Sequence, residues 1–121
     1  IIMDKTTVDL FNPKTIRATM GSLYRVPFFI TEDLPGTIWE LKKRKIGVYA
    51  AHLGGRKSYD EPVYTKGTAF LIGNEGNGLT KEISDQAGQY LKIPMEGKVE
   101  SLNASIAAAL LMYEAHRQRK L

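Results

Sequence analysis

Two stretches hold the residues whose types and spacing could do chemistry. The first is Phe70-Leu71-Ile72-Gly73-Asn74-Glu75-Gly76-Asn77-Gly78-Leu79-Thr80, an apolar run that enters a turn with three glycines in six residues. Glycine admits positive φ and lets a ligand approach the main chain closely. A strand-to-helix turn of this kind is where open α/β sheets bind ligands. The stretch could be a phosphate cradle, but it has neither a Walker lysine-plus-hydroxyl ending nor a G-x-G-x-x-G. Glu75 inside the turn would also repel phosphate. The plainer alternative is a tight turn that uses its glycines for geometry alone.

The second stretch is Ile93-Pro94-Met95-Glu96-Gly97-Lys98-Val99-Glu100-Ser101-Leu102-Asn103-Ala104-Ser105. Pro94 to Glu100 shows no apolar periodicity and reads as a loop. Ser101 is the expected N-cap of the helix that follows. Asn103 then falls in the first turn, where a short amide can point at a ligand. Capping alone accounts for Ser101 well and for Asn103 poorly.

The elements that must position these residues follow from periodicity. Ile1-Ile2-Met3 reads as the tail of a buried strand, entered without a start signal, so the chain is expected to lack its natural N-terminus. Asn12-Pro13 opens a helix, as cap and first helical residue, with Ile16, Met20 and Leu23 at helical spacing. Val26 to Ile30 is a short strand. Asp33 to Lys45 is a helix with a basic last turn that complements its dipole. Ile46 to Ala51 and Gly67 to Gly73 are strands of the continuously apolar, fully buried kind. His52 to Tyr64 reads as loop, 80–86 as a short helix and Tyr90 to Pro94 as a last strand. Ser101 to Lys120 is the longest helix, with Leu102, Ile106, Leu110 and Tyr113 on one stripe. Its Ala107-Ala108-Ala109 run lets another element lie close. Alternating strands and helices argue one α/β domain with a mainly parallel sheet flanked by helices.

Composition narrows the classes further. The 121 residues are 43% hydrophobic and 25% charged, ordinary for one globular domain. There are no cysteines, which excludes disulfides, thiolate zinc sites and a cysteine nucleophile, and fits a cytoplasmic protein. His52 and His116 show no metal-ligand spacing, so no metal is expected. No apolar run is long enough to span a membrane. Seventeen basic against thirteen acidic residues give +4, compatible with a polyanionic partner. The basic residues cluster at Lys42 to Lys45, at Arg56-Lys57 and at Arg117 to Lys120. Convergence of all three on one face would favour a polyanion; separately, each reads as a solvated helix end or loop.

Together the two stretches resemble the SpoU (TrmH-like) branch of the SPOUT RNA methyltransferases. I-G-N-E-G-N-G-L resembles the second motif of that family, and I-P-M-E-G-K-V-E-S-L-N-A-S-I-A-A-A its third. Asp9 to Lys14, with Arg17 to Ser22, resembles its linker and second helix. The resemblance covers essentially the whole chain. It implies a C-terminal deep trefoil knot that forms the pocket for S-adenosylmethionine. It implies transfer of a methyl group to a ribose 2′-hydroxyl of tRNA or rRNA, and a homodimer through the C-terminal helix. By the same resemblance Glu75, Ser101 and Asn103 are the catalytic residues. Ala50, Ala51, Leu71, Gly73, Asn74, Gly76, Gly78, Ile93, Met95, Ser101 and Leu102 bind the cofactor. The family's first motif, an Asn and an Arg, should lie before Ile1. Arg17 and Arg25 sit in the wrong segment to replace that Arg, so this chain is expected to bind cofactor and turn over little. Two other classes stay open: a knotted RNA-binding or assembly module without catalysis, and an enzyme that holds nucleotide phosphates in the glycine turn.

Overall fold

The computed structural model describes residues 1–120. The chain forms two compact units, one of residues 1–37 and one from Ile38 onward. All paired strands in both are parallel.

In the first unit, β1 (Ile2–Asp4) pairs with β2 (Phe29–Thr31), Ile2 opposite Phe29. The strand of Val26 to Ile30 expected from sequence thus begins later and runs one residue further. Between the strands lies α1 (Pro13–Ala18), whose N-cap Asn12 accepts the Lys14 N–H at 2.9 Å. The helix stops at Ala18, short of the expected Met20 and Leu23. Met20 turns into the left-handed region (φ 48°), Gly21 follows at φ 85°, and Met20 is left 87% exposed. Two successive positive-φ residues break an α-helix whatever their apolar spacing. A single 3-10 turn, Ser22–Tyr24, then buries Leu23.

Helix α2 (Leu34–Lys43) carries the boundary between the units. Asp33 caps it, its Oδ1 accepting the Gly36 N–H at 3.0 Å. The second unit holds a four-stranded sheet of order β4-β6-β3-β5, with β3 Gly47–Ala51, β4 Lys57–Ser58, β5 Thr68–Leu71 and β6 Gln89–Lys92. Strand β4 lies inside the stretch expected to be loop. A two-residue strand carries no periodicity to detect, and it exists because Gly55 lets the main chain press onto β6. A Cβ at Gly55 would stand 2.6 Å from the Leu91 carbonyl carbon. The short α3 (Lys81–Ser84) is capped by Thr80.

The longest helix, α4 (Ala104–Lys120), packs against this sheet. Tyr64, Leu91, Leu111 and Ala115 form the buried core, flanked by Tyr49, Ala51, Tyr59, Phe70 and Ile72. Tyr64 meets Tyr49 and Phe70 edge-on, with ring centroids 5.1 and 5.2 Å apart, a favourable aromatic geometry. The expected inward stripe of α4 is corrected here. Leu111, Glu114 and Ala115 are buried, whereas Ile106, Leu110 and Tyr113 are exposed. The buried face is rotated by one residue, about 100°, which sets Leu111 and Ala115 against Tyr64 and Leu91 in the core.

Candidate functional site

A cleft of about 1000 Å³ opens at the C-terminal ends of β3, β5 and β6. Three segments wall it: Ala51 to Leu53 at the end of β3, Ile72 to Leu79 after β5, and residues from Leu91 to Asn103 at and beyond the end of β6. Ala104, Ala107 and Leu111 of α4 close one side. Parallel strands end together, so the loops that follow them converge at one end of the sheet.

The glycine turn is stiff. The Asn74 carbonyl accepts the Gly78 N–H at 3.0 Å, and Asn74 Oδ1 accepts the Asn77 N–H at 2.7 Å. Gly78 stands at φ 64°, and a Cβ at Gly73 would come 2.2 Å from the Gly78 carbonyl carbon. Both glycines are therefore required by the turn itself. The turn holds Glu75 at the cleft.

On the other wall, Asn103 rather than Ser101 is the N-cap of α4, a correction to the expected boundary. Its Oδ1 accepts the Ser105 N–H at 2.9 Å and its carbonyl accepts the Ala107 N–H at 2.9 Å. With the oxygen occupied by the cap, the amide nitrogen faces the other way and donates to Glu75 Oε1 at 2.6 Å. The cap thus fixes the amide orientation, and the amide fixes the carboxylate. Glu75 Oε2 has no partner among the described residues. The backbone N–H and C=O groups of Gly73, Ile93 and Leu102 enter no backbone hydrogen bond among the described residues. Polar main-chain groups left free beside a cleft are ready donors and acceptors for a ligand.

The cleft brings together Glu75, Ser101 and Asn103, and with them Ala51, Gly73, Asn74, Gly76, Gly78, Ile93, Met95 and Leu102. Ala50 and Leu71 do not reach it. Ala50 is fully buried in β3 and is paired with Leu71 of β5. The lining begins one residue later on each segment, at Ala51, the last residue of β3, and at Ile72, just after β5.

Sequence reasoning missed Leu79 and Lys92 on the walls; it did not name His52, Leu53, Val99 or Glu100 individually, although they fall in the loop after Ala51 and within Ile93 to Leu102, both expected to build the pocket. His52 stacks on Tyr90 with centroids 4.6 Å apart, and its Nδ1 accepts the Gly54 N–H at 2.9 Å. That bond leaves the proton of the neutral ring on Nε2. The signal for His52 was available, since it directly follows a buried strand.

Away from the cleft, the C-terminal half of α4 is bound to the segment before β5. Arg117 grips the Glu114 carboxylate with two hydrogen bonds of 2.8 Å. Gln118 donates to Glu114 Oε1 and to the Pro62 carbonyl, both at 2.9 Å, and accepts the Tyr64 N–H at 2.7 Å. Hydrogen bonds from Arg117 and then Gln118 hold the Glu114 carboxyl down to about 2, against the upward push of burial. Burial pushes the Tyr64 phenol well above its usual range, and its hydroxyl donates to the Tyr59 carbonyl.

A profile of the SpoU rRNA Methylase family matches residues 1–113. The Bacillus subtilis 23S rRNA (guanosine(2553)-2'-O)-methyltransferase RlmP is 34% identical over 113 residues, which are 93% of this chain and 45% of the relative. The SpoU methyltransferase AviRb from Streptomyces viridochromogenes, solved with the cofactor AdoMet, superposes with a TM-score of 0.88. It is 30% identical over 98% of this chain and 49% of that one. The AdoMet-bound rRNA methyltransferase from Sinorhizobium meliloti gives a TM-score of 0.86 at 34% identity, over 97% and 45% of the two chains. The chain spans about half the length of the curated relatives it matches.

Proposed function

The chain belongs to the SpoU rRNA methylase family, and from that premise we propose that it is the cofactor-binding part of an RNA methyltransferase. The cofactor is S-adenosylmethionine and the acceptor a ribose 2′-hydroxyl of tRNA or rRNA. The observation that carries the reading is the Asn103–Glu75 hydrogen bond at the mouth of a cleft edged by the free main-chain groups of Gly73, Ile93 and Leu102. The B. subtilis relative, by its name a 2′-O-methyltransferase, supports the ribose hydroxyl as acceptor.

The cleft fits the cofactor. Its volume suits a nucleoside-sized ligand. Ile72, Leu91, Ile93 and Met95 offer apolar contact for an adenine, and the three free main-chain positions offer hydrogen bonds to its edge and to a ribose. When bound, S-adenosylmethionine supplies an electrophilic methyl group on a sulfonium. The protein then has to place the acceptor in line with that methyl, and positioning of this kind is a large part of the catalysis. Glu75 Oε2 can accept a hydrogen bond from a hydroxyl or an amine at the mouth. Asn103 positions Glu75, and Ser101 presents an exposed hydroxyl on the same wall.

Three further parts of the reading rest on more indirect support. A C-terminal trefoil knot is supported by β6 lying between β3 and β4, an order that interleaves segments distant in sequence. One methyltransferase domain across the chain is supported by an unbroken family match over 1–113. A homodimer through α4 is supported by Ile106, Leu110 and Tyr113, which form an exposed apolar row at i, i+4, i+7. A cytoplasmic location is supported by the RNA-modifying relatives and by the absence, among the described residues, of a helix long and apolar enough to cross a membrane.

Calorimetry with S-adenosylmethionine tests the central claim. Saturable binding is expected, weakened by substitution of Gly73 or Met95. A folded chain that gives no heat at millimolar cofactor would remove the proposal.

A further inference from the structure

The two ends of the four-stranded sheet differ in charge. The cleft occupies the C-terminal ends of the strands. At the N-terminal ends, two of the three basic clusters meet. Lys42 to Lys45 lead directly into β3 and are all exposed. The Gly47 N–H donates to the Gly67 carbonyl at 2.9 Å, which puts exposed Lys66 beside the start of β3. Helix α4 ends here as well. Arg119 donates to the Tyr64 and Lys66 carbonyls at 2.9 and 2.7 Å. Lys42 donates to the Gln86 carbonyl, just before β6. The acids in reach are Glu40, paired with Lys43 at 3.3 Å, and Asp85, which accepts from Tyr90 and faces Lys81. The balance is strongly positive. The patch stands roughly 15 Å from the cleft, the length of a five-residue strand.

One turn up α2 sits Trp39, 57% exposed, with Lys43 Nζ 4.4 Å from its ring centroid. An exposed indole beside a cation is unusual on a solvated helix, and it offers a stacking face next to positive charge. Single-stranded nucleic acid is bound by that combination, bases on aromatic faces and phosphates on lysine and arginine. An acidic protein would use the charge but would leave the indole without a planar partner.

We propose that this end of the sheet is a second RNA-contact surface. Trp39 stacks on an unpaired base there, while Lys43, Arg44, Lys45, Lys66 and Arg119 neutralise phosphates. The inference rests on RNA being the substrate. It adds a docking site at the opposite end of the sheet from the reaction. A long RNA would then be held at two places, and the cleft would not have to supply all of the affinity.

Trp39 is the only tryptophan in the chain, so its fluorescence reports on this surface alone. The test titrates a single-stranded oligouridylate into the chain, following Trp39 emission and the anisotropy of the labelled RNA. Saturable quenching is expected, lost as salt rises. Arg44→Glu/Lys66→Glu should weaken RNA binding at least about tenfold and flatten the salt dependence. Its affinity for S-adenosylmethionine should not change, and the heat of that binding certifies the fold. Arg44→Gln/Lys66→Gln, with a smaller loss, guards against damage from charge reversal. Trp39→Leu should weaken binding without altering the salt slope. RNA binding without quenching, or with unchanged affinity in the charge variants, overturns the proposal and leaves the cofactor reading intact. Equal quenching by polyglutamate would assign the surface to an acidic protein and also overturn it. Quenching by RNA in a folded chain that ignores S-adenosylmethionine would keep the docking surface and remove the methyltransferase reading.

Discussion

The two ends of α4 are built on opposite principles. At the C-terminal end, Glu114, Arg117, Gln118 and Arg119 satisfy one another and the carbonyls of Pro62, Tyr64 and Lys66. At the N-terminal end, Asn103 and Glu75 share one hydrogen bond, and the main-chain groups of Gly73, Ile93 and Leu102 enter no backbone hydrogen bond among the described residues. At the first end the hydrogen bonds are closed within the protein and leave only surface charge, and at the second they are open to a ligand. A helix clamped at one end can present the other at a constant distance from the glycine turn. The difference teaches that exposure and unused hydrogen-bonding capacity, more than residue type, separate the site from its support.

The largest expected effect comes from the helix middle. Leu111 is 0% exposed in the core, so Leu111→Asp should unfold the chain, at a cost of about 4 kcal/mol or more. Leu111 is therefore not a residue on which to test a dimer through α4. The exposed Ile106 is the residue to change instead. Ile106→Asp should leave the melting temperature of the subunit nearly unchanged and shift sedimentation to the monomer. An unchanged sedimentation profile would exclude this face as the contact.

Next in size is the clamp. Gln118→Ala strands the Tyr64 N–H and the Pro62 carbonyl, and denaturant unfolding should show a loss of about 2 kcal/mol. If stability holds, the closed end is less important than its bond network implies.

At the open end, Asn103→Ala should cost about 1 kcal/mol, because the cap is lost. Asn103→Ser keeps a capping oxygen but removes the amide that holds Glu75. It should therefore keep the melting temperature while the proposed methyl transfer to RNA falls sharply. Full activity in the serine variant would make Asn103 a cap and nothing more.

The smallest effect is in pH. The folded Glu114 carboxyl, at about 2, lies below its ordinary 4.5. Its contribution to stability is complete above that ordinary value and is lost as pH falls toward 2. Glu114→Gln should flatten the acid limb of a stability–pH curve in that window, and an unchanged limb would show that other carboxylates dominate it.

What the sequence determined by itself was local. Buried-strand runs placed β3, β5 and β6 within a residue or two, and the glycine turn with the Ile93 to Ser105 stretch located the cleft. These signals depend on φ preferences and on periodicity along a few consecutive residues. Tertiary structure decided what depends on partners distant in the chain. Whether α4 turns Leu110 or Leu111 inward was set by the packing of Leu111 and Ala115 against Tyr64 and Leu91. Strand β4 exists only because Gly55 meets β6. Asn103 caps α4 through local bonds to Ser105 and Ala107, but only the tertiary fold brings its amide to Glu75, 28 residues away. The convergence of Lys42 to Lys45, Lys66 and Arg119 follows from parallel pairing, which brings strand starts together at one end and the loops of the cleft at the other.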